Sequence, residues 1–360
     1  MAIRIAGGKE AKTCSVDEDL KKLLETRRAE IKVVGVGGAG GNTVSRMMQV
    51  GIVGAEVVGV NTDAQDLLYT DADSKVLIGK ELTRGLGAGA DPKVGMDAAK
   101  ESKDELKEVL QGADMVFITC GLGGGTGTGA SPIVAEVAKK LGALTVGVVT
   151  LPFSMEGKQR MDNARMGLEN LENTVDTLIV IPNDKLLQIV PDVSIITAFK
   201  VSDEILVNAV KGIAELVTKP GLVNLDFADI RAVMGSGGLA MIGLGESDTE
   251  NRALEAVQKA ISNPLLDVEI DGAEGALVNV SGGADVTIRE CQEIVEAVSS
   301  KLSADAKIIW GAQIVKELGD VIRALLIVTG VKSSQIYGPT KTFSTEKQKE
   351  IEKILGIDFV

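Results

Sequence analysis

Residues 121–129 read Gly-Leu-Gly-Gly-Gly-Thr-Gly-Thr-Gly, with Leu122 the one large side chain among them. An apolar run, Met115–Thr119, precedes this stretch, and a helical pattern from Ser131 to Leu141 follows it. A chain that leaves a strand through glycines and enters a helix points backbone N–H groups at one place, where the helix dipole also favours negative charge. Glycine lets the backbone approach a ligand closely, and Thr126 and Thr128 add hydroxyl donors. The chemistry that suits such a loop is polyphosphate binding.

Two further loops are built the same way. Gly35-Val-Gly-Gly-Ala-Gly-Gly-Asn42 contains G-x-G-x-x-G at Gly35, Gly37 and Gly40, and Gly85-Leu-Gly-Ala-Gly-Ala90 is a third glycine-rich turn. With Asn61-Thr62-Asp63 close to where a dinucleotide fingerprint wants its acidic residue, the first loop alone permits an NAD-dependent oxidoreductase. Three loops instead of one argue for a triphosphate held from several sides. The P-loop signature G-x-x-x-x-G-K-[ST] is absent, so this is not an ordinary P-loop NTPase.

Composition narrows the chemistry further. The 360 residues contain no histidine, which excludes Ser-His-Asp and Cys-His catalysis and His-based metal sites. Cys14, Cys120 and Cys291 are scattered, with neither zinc spacing nor a disulfide framework, as suits a reducing cytoplasm. Cys120, beside the phosphate-type loop, reads either as redox-sensitive or as a small buried residue. Lys and Arg number 38 against 51 Asp and Glu, a net charge of −13, which argues against nucleic acid as a main partner. An acidic chain that binds a nucleotide needs local compensation, and Mg²⁺ is the obvious source. No apolar run approaches the roughly 18–20 residues of a membrane span.

The elements that must position these loops follow from hydrophobic periodicity. Strands are expected at Ile31–Val36, Glu56–Asn61, Lys75–Ile78, Met115–Thr119, Leu144–Leu151 and Thr177–Pro182. Between them helices are expected at Gly41–Val50, Lys93–Leu110, Ser131–Leu141 and Gly157–Asn173. The alternation predicts a mostly parallel α/β sheet with ligands at the carboxyl ends of its strands. A long helix, about Ile196 to Lys219, leads to a smaller α/β unit. Its strands are expected near Ala240–Leu244, Ala276–Ser281, Lys307–Gln313 and Ala324–Val331, and its helices at Thr249–Ser262 and Thr287–Ser303.

GGAGGN (37–42), NTD (61–63), GLGAGA (85–90), GGGTGTG (123–129) and NLDFAD (224–229) stand in the order found in the tubulin/FtsZ superfamily, which the chain resembles over roughly residues 30–330. The resemblance implies an N-terminal Rossmann-like GTP-binding domain with a mostly parallel sheet, a long central helix and a smaller C-terminal α/β domain. The expected divisions are 1–30 as a helical extension, 31–195 as the GTP-binding domain, 196–221 as the central helix, 222–331 as a polymerisation and activating domain, and 332–360 as a tail. It further implies a cytoplasmic, assembly-dependent GTPase that scaffolds cell division at mid-cell, with GTP/GDP and Mg²⁺ as cofactors and no metal ligand assigned among the side chains. By position, Gly37, Gly38, Ala39, Gly40, Gly41 and Asn42 resemble the α-phosphate cradle. Gly87, Ala88, Gly89 and Ala90 resemble the β-phosphate cradle. Gly123, Gly124, Gly125, Thr126, Gly127 and Thr128 resemble the γ-phosphate cradle. The resemblance implies that Gly121, Asn61 and Asp63 belong to the same GTP-binding site. Glu156 and Arg160 resemble the pair that meets the ribose, although four-residue spacing by itself describes a surface salt bridge. Asn183 stands where the family contacts guanine, Phe199 where it stacks on the base, and Asp203 where a carboxylate would accept from guanine N1–H and N2–H₂. Read without the resemblance, Phe199 is core packing.

Glycine loops bind phosphate but offer no general base. Carboxylates stand at Asp226 and Asp229, just beyond the long helix, where on their own they read as helix caps. A helix of about 24 residues spans about 36 Å. With the nucleotide at its start, those aspartates lie at the other end of the molecule. The resemblance implies that Asn224, Asp226 and Asp229 enter the site of the next subunit in a head-to-tail homopolymer and position the attacking water. It also implies a tail that reaches membrane-tethering or regulatory division proteins without inserting in the membrane itself. The residues of the tail equally suit a helix (Thr345–Leu355) docking on the fold.

Overall fold

The computed structural model describes residues 29–189, 194–218, 226–235, 237–263, 273–303 and 305–331. Residues 1–28 of the N-terminal extension, Asn224 and the tail therefore lie outside the described residues.

Runs rich in Val and Ile, stiff at χ1 and suited to a buried pleat, form the strands. In chain order the elements are β1 (Ile31–Val36), α1 (Gly37–Val50), β2 (Ala55–Asn61), α2 (Ala64–Tyr69), β3 (Ser74–Leu77), α3 (Lys80–Thr83), α4 (Pro92–Glu101), α5 (Lys103–Leu110), β4 (Met115–Gly121), α6 (Thr126–Lys140), β5 (Leu144–Leu151), α7 (Lys158–Glu172), β6 (Thr177–Pro182), α8 (Asn183–Ile189) and α9 (Ile195–Thr218). The second half comprises α10 (Phe227–Met234), β7 (Gly238–Ser247), α11 (Arg252–Ile261), β8 (Gly275–Gly282), α12 (Ile288–Ser299), β9 (Lys307–Ile314) and β10 (Ile322–Thr329).

Among the described residues, ten strands join one sheet in the order β3-β2-β1-β4-β5-β6-β7-β10-β8-β9. The first six are parallel and follow the order of doubly wound nucleotide-binding sheets. The second half is mixed: β10 is antiparallel to both β7 and β8, and β8 is parallel to β9. The seam is short, with β7 pairing β6 only from Thr177↔Gly238 to Ile179↔Ala240. Where the sequence implies a separate smaller domain, the sheet is thus continuous through a narrow joint. Helices α1, α9 and α10 cover one face, burying Val44, Met47, Leu206, Ile213, Ile230 and Met234. Helices α4 to α7 cover the other face, with α11 and α12 beyond the seam. Helix α9 reaches across both halves; a Cβ on Gly212 would lie 2.3 Å from Leu325.

Three expectations need correction. The helix expected over Lys93–Leu110 is two helices broken at Ser102, which is buried and whose Oγ accepts from Gly79 N–H at 3.1 Å. The helix expected from Ser131 begins five residues earlier, at Thr126, and carries Pro132 inside it. Its early glycines serve packing: a Cβ on Gly129 would lie 1.9 Å from the Pro92 carbonyl, so α4 and α6 meet backbone to backbone. Finally, the helix expected over Gly41–Val50 begins four residues earlier, at Gly37. Beyond α9, Asp226 stands at the N-cap position of α10, with no side-chain cap hydrogen bond, and Asp229 lies in its first turn.

Candidate functional site

A cavity of about 310 Å³ opens at the carboxyl ends of β1, β4, β5 and β6. Gly37, Gly38 and Ala39 line one side, Gly121 and Gly124 to Gly127 the floor, and Glu156, Arg160, Asn183, Phe199 and Asp203 the far side. Residues distributed over more than 160 positions of sequence meet because the strand ends and the helices that follow them converge there, with the first half of α9 closing the far side.

Besides the short α8, which opens with Asn183, helices α1 and α6 start at this cavity. Neither has a side-chain cap or an acidic residue in its first turn. The neighbouring α2 and α4 are capped, by Asp63 and Asp91. Uncapped N-terminal N–H groups facing a cavity are donors in want of an acceptor, and the dipoles of both helices favour an anion. At Gly37, φ is +72°, a turn from strand to helix that a side chain would strain. A Cβ built on Gly124 meets nothing within 4 Å, so the protein's own packing does not demand glycine there. The bare backbone leaves room for a ligand.

The hydroxyls of the signature loop are engaged within the protein. The Thr126 and Thr62 hydroxyls are 2.6 Å apart, and buried Thr128 accepts from Gly123 N–H at 2.9 Å. Thr128 also packs against α7, where a Cβ on Gly167 would lie 2.5 Å from its methyl group. Thr128 and Gly123 thus shape the loop, and Gly124 to Gly127 face the cavity.

At the other end a slot forms between α8, α9 and the β5–α7 connection. Asn183 is buried, and its Oδ1 accepts from the Ser202 hydroxyl at 2.9 Å. Phe199 keeps 43% of its surface exposed and packs edge-to-face on Phe153, ring centres 5.2 Å apart. It is therefore a half-open aromatic face and not the core residue that its type alone would indicate. Asp203 Oδ1 accepts from Thr43 Oγ1 at 3.0 Å. Burial raises the Asp203 carboxyl above its ordinary pKa, with the Thr43 hydrogen bond and the charge of Arg46 pulling the other way. Glu156 and Arg160 form the i,i+4 ion pair, and both also line the cavity. Glu156 Oε1 further accepts from Phe153 N–H at 2.8 Å, and Asp184 accepts from the amide and hydroxyl of Ser154, which fixes the intervening turn.

Several expected site residues stand outside the lining. Gly40 and Gly41 are buried behind it, where a Cβ would lie 2.6 Å from the Thr119 carbonyl and 2.9 Å from Thr70 Oγ1 respectively. Asn42 faces a separate polar groove with Arg46, Tyr69 and Asp71. Asn61 donates to Asp66 at 2.6 Å, and Asp63 Oδ1 caps α2 by accepting from Gln65 and Asp66 N–H. The turn holding Gly87, Ala88, Gly89 and Ala90 borders the signature loop: a Cβ on Gly125 would lie 2.8 Å from that of Ala88. Thr43, Thr150 and Ser202 line the cavity without having been singled out in the sequence. Nothing flags Thr43 or Ser202 there, because Thr and Ser inside helices usually bond the preceding turn, as Thr43 also does to Ala39; Thr150 reads as an ordinary residue of strand β5. Cys120 is fully buried with its thiol pushed up to about 12, so it is a packing residue and not a nucleophile.

The aspartates beyond α9 are far from this cavity. Phe199, Ser202, Asp203 and Leu206, in the first half of α9, line the cavity. At the helix's end, the Thr218 hydroxyl bonds Val53 O, just before β2. Arg231 of α10 donates to the carbonyls of Asp114 and Gly142, which immediately precede β4 and β5. Asp229 is exposed and sits at the amino-terminal edge of the sheet, while the cavity sits at the carboxyl edge. Among the described residues, no cluster of three or more His, Cys, Asp or Glu is placed to hold a metal, and no helix is long and apolar enough to cross a membrane.

Comparison with known proteins matches two family models to the chain. One is the GTPase domain of the tubulin/FtsZ family, over residues 30–191, and the other the FtsZ family C-terminal domain, over residues 238–332. The chain is 65% identical over 329 residues to cell division protein FtsZ 1 of Thermococcus kodakarensis, covering 91% of this chain and 88% of that one. It is 61% identical over 317 residues to FtsZ 1 of Methanocaldococcus jannaschii, covering 88% and 87%. Among solved structures, the empty FtsZ dimer of M. jannaschii superposes with a TM-score of 0.85 at 60% identity, covering 88% of this chain and 92% of that one. The GDP-bound CetZ1 monomer of Haloferax volcanii gives 0.75 at 25% identity, covering 90% and 99%.

Proposed function

The chain belongs to the tubulin/FtsZ family and carries that family's GTPase domain, and from this premise we propose that it is a cytoplasmic cell-division GTPase that assembles head to tail and completes each active site between two subunits. One observation carries the proposal: the nucleotide-type cavity and the exposed carboxylates of α10 stand at opposite edges of one sheet. A contact that joins the carboxyl edge of one copy to the amino edge of the next is heterologous and, unclosed, gives a filament. The relative from M. jannaschii is known as a dimer, which supports self-association.

The phosphates lie on the N-termini of α1 and α6, and the ribose meets Glu156 and Arg160. The guanine occupies the slot of Asn183, Phe199 and Asp203. No side-chain cluster among the described residues is placed to hold Mg²⁺, so the ion would arrive with the nucleotide and would supply charge neutralisation on the leaving diphosphate. The glycine-loop amides stabilise the charge developing on the γ-phosphate. Asp226 and Asp229 of the next copy, with Asn224, orient the water for in-line attack. Hydrolysis then follows assembly and weakens it, so one cycle serves as both enzyme and scaffold at the division site. The tail of residues 332–360 is the segment proposed to meet tethering proteins.

Nucleotide choice tests the base slot and separates this reading from a dinucleotide enzyme. A carboxylate at 203 accepts from guanine N1–H and N2–H₂, whereas adenine presents an acceptor at N1 and no amino group at C2. Asp203→Asn is expected to lower the GTP-over-ATP affinity ratio by about tenfold or more, because a site built for hydrogen bonding loses discrimination when its acceptor becomes a mixed donor. The raised pKa adds a pH signature. As pH falls through that pKa the carboxyl protonates, so wild-type GTP affinity drops at a higher pH than an ordinary aspartate would give, and the asparagine variant loses this dependence. In the nucleotide-free protein the folded state binds this proton more tightly than the unfolded state does. The same group therefore costs stability as pH rises through its range. Titration of GTP, ATP and NAD across pH checks both; an unchanged ratio in the variant removes Asp203 from the base slot, and preference for NAD overturns the GTPase reading.

A further inference from the structure

Asn163 ties two of the glycine loops together. It lies on α7, three residues beyond Arg160, and keeps 9% of its surface exposed. Its Nδ2 donates to the carbonyl of Ala90 at 3.2 Å and to the carbonyl of Gly123 at 3.3 Å. Its Oδ1 accepts from Gln159 Nε2 at 3.4 Å. Both carbonyls belong to unusual backbone: Ala90 has φ +62° and Gly123 has φ +105°. Ala90 and Arg84 are the two non-glycine residues with positive φ among the described residues. Such a conformation costs energy and persists only where its surroundings hold it. The Asn163 amide holds this one, and in the same grip it fixes the entrance to the signature loop.

The chemistry selects asparagine. Two carbonyl oxygens converge on one side chain, so that side chain must present two N–H donors from a single short arm. A carboxylate there would repel both carbonyls, an aliphatic residue would leave both unpaired, and serine would fall short.

We propose that Asn163 is a positioning residue that locks the turn at 85–90 to the signature loop, so that both close together on the terminal phosphates and the site prefers a triphosphate to a diphosphate. The inference rests on the GTPase reading above. Asn163 does not line the cavity and acts only through the two loops.

The test uses the full chain with Asn163→Leu and the milder Asn163→Ser, in which water can reach the freed carbonyls. Affinities for a slowly hydrolysed GTP analogue and for GDP are measured alongside thermal unfolding and GTP turnover. Wild type is expected to bind both nucleotides. In the leucine variant, triphosphate affinity should fall about tenfold while GDP affinity stays within about threefold, and kcat should fall by a larger factor than KM rises. The serine variant should show the same pattern at smaller size, and it alone decides the matter should the leucine variant fail to fold. Equal losses for the two nucleotides, or a lowered Tm with both affinities intact, would make Asn163 a merely structural residue and overturn the proposal. Failure of wild type to bind GTP would overturn the GTPase reading itself, whatever the variants do.

Discussion

Asp229→Ala is expected to bind GTP with wild-type affinity, to form sedimentable assemblies and to hydrolyse GTP at least about 100-fold more slowly. The expected size is that of removing a group which orients the nucleophile in the transition state. Asp229 is exposed in the first turn of α10, so its loss removes no core contact. The cost to folding should be within about 1 kcal/mol, the scale of a helix-dipole interaction. Helix α10 is anchored at the amino edge through Arg231 to Asp114 O and Gly142 O. The seven residues of β4 separate that edge from the cavity, about 23 Å at the usual strand rise. On the proposed account, a side chain so far from its own cavity acts on hydrolysis in the cavity of the next copy. Turnover, nucleotide affinity and sedimentation measured on the same preparation separate the possibilities. Normal turnover in the variant would sink the shared site, and so would a loss of turnover that tracks a loss of nucleotide binding.

Gly124→Ala and Gly129→Ala should fail in opposite ways although the two positions are five residues apart. A Cβ on Gly124 meets nothing within 4 Å, so the variant should fold with unchanged Tm. It should nonetheless lose GTP affinity by about 10- to 100-fold, because the methyl group occupies space at the loop that the phosphates need and lifts them from the amides. A Cβ on Gly129 would sit 1.9 Å from Pro92 O and 2.7 Å from Met96 N, both backbone atoms that cannot turn aside. Separating α4 from α6 to admit it should cost about 3 kcal/mol or more of folding stability. Thermal unfolding with and without GTP reads both effects. Full GTP affinity in Gly124→Ala would mean that this part of the loop does not touch nucleotide, and unchanged stability in Gly129→Ala would contradict the backbone contact.

This pair also shows what a sequence can and cannot say about such a loop. Seven residues from Gly123 to Gly129 look alike as a string, yet they do three jobs. Gly124 to Gly127 face the cavity, Gly123 and Thr128 close the loop on itself, and Gly129 lets two helices touch. Small size is visible in sequence, but the reason for it depends on what packs alongside. The strands were legible because continuous β-branched runs bounded by glycine have few other readings, and their order put every glycine loop at a carboxyl edge. Short helices such as α2, α3 and α8 were not, since four to seven residues give too little periodicity to see. The break at Ser102 depends on a partner, Gly79, that is 23 residues away. The continuous sheet was hidden for a similar reason: three residue pairs between β6 and β7 leave no composition signal. Asp203 was placed by family resemblance, and its Thr43 partner, 160 residues earlier, emerges only from the packing of α1 on α9.

The central claim is that one active site needs two copies of the chain. Phosphate release from GTP with Mg²⁺, measured across protein concentration with light scattering read in parallel, tests it most directly. The account predicts turnover per subunit near zero at low concentration, rising together with scattering above a threshold. Turnover per subunit that is the same at every concentration would mean that a single chain holds a complete site, and would contradict it.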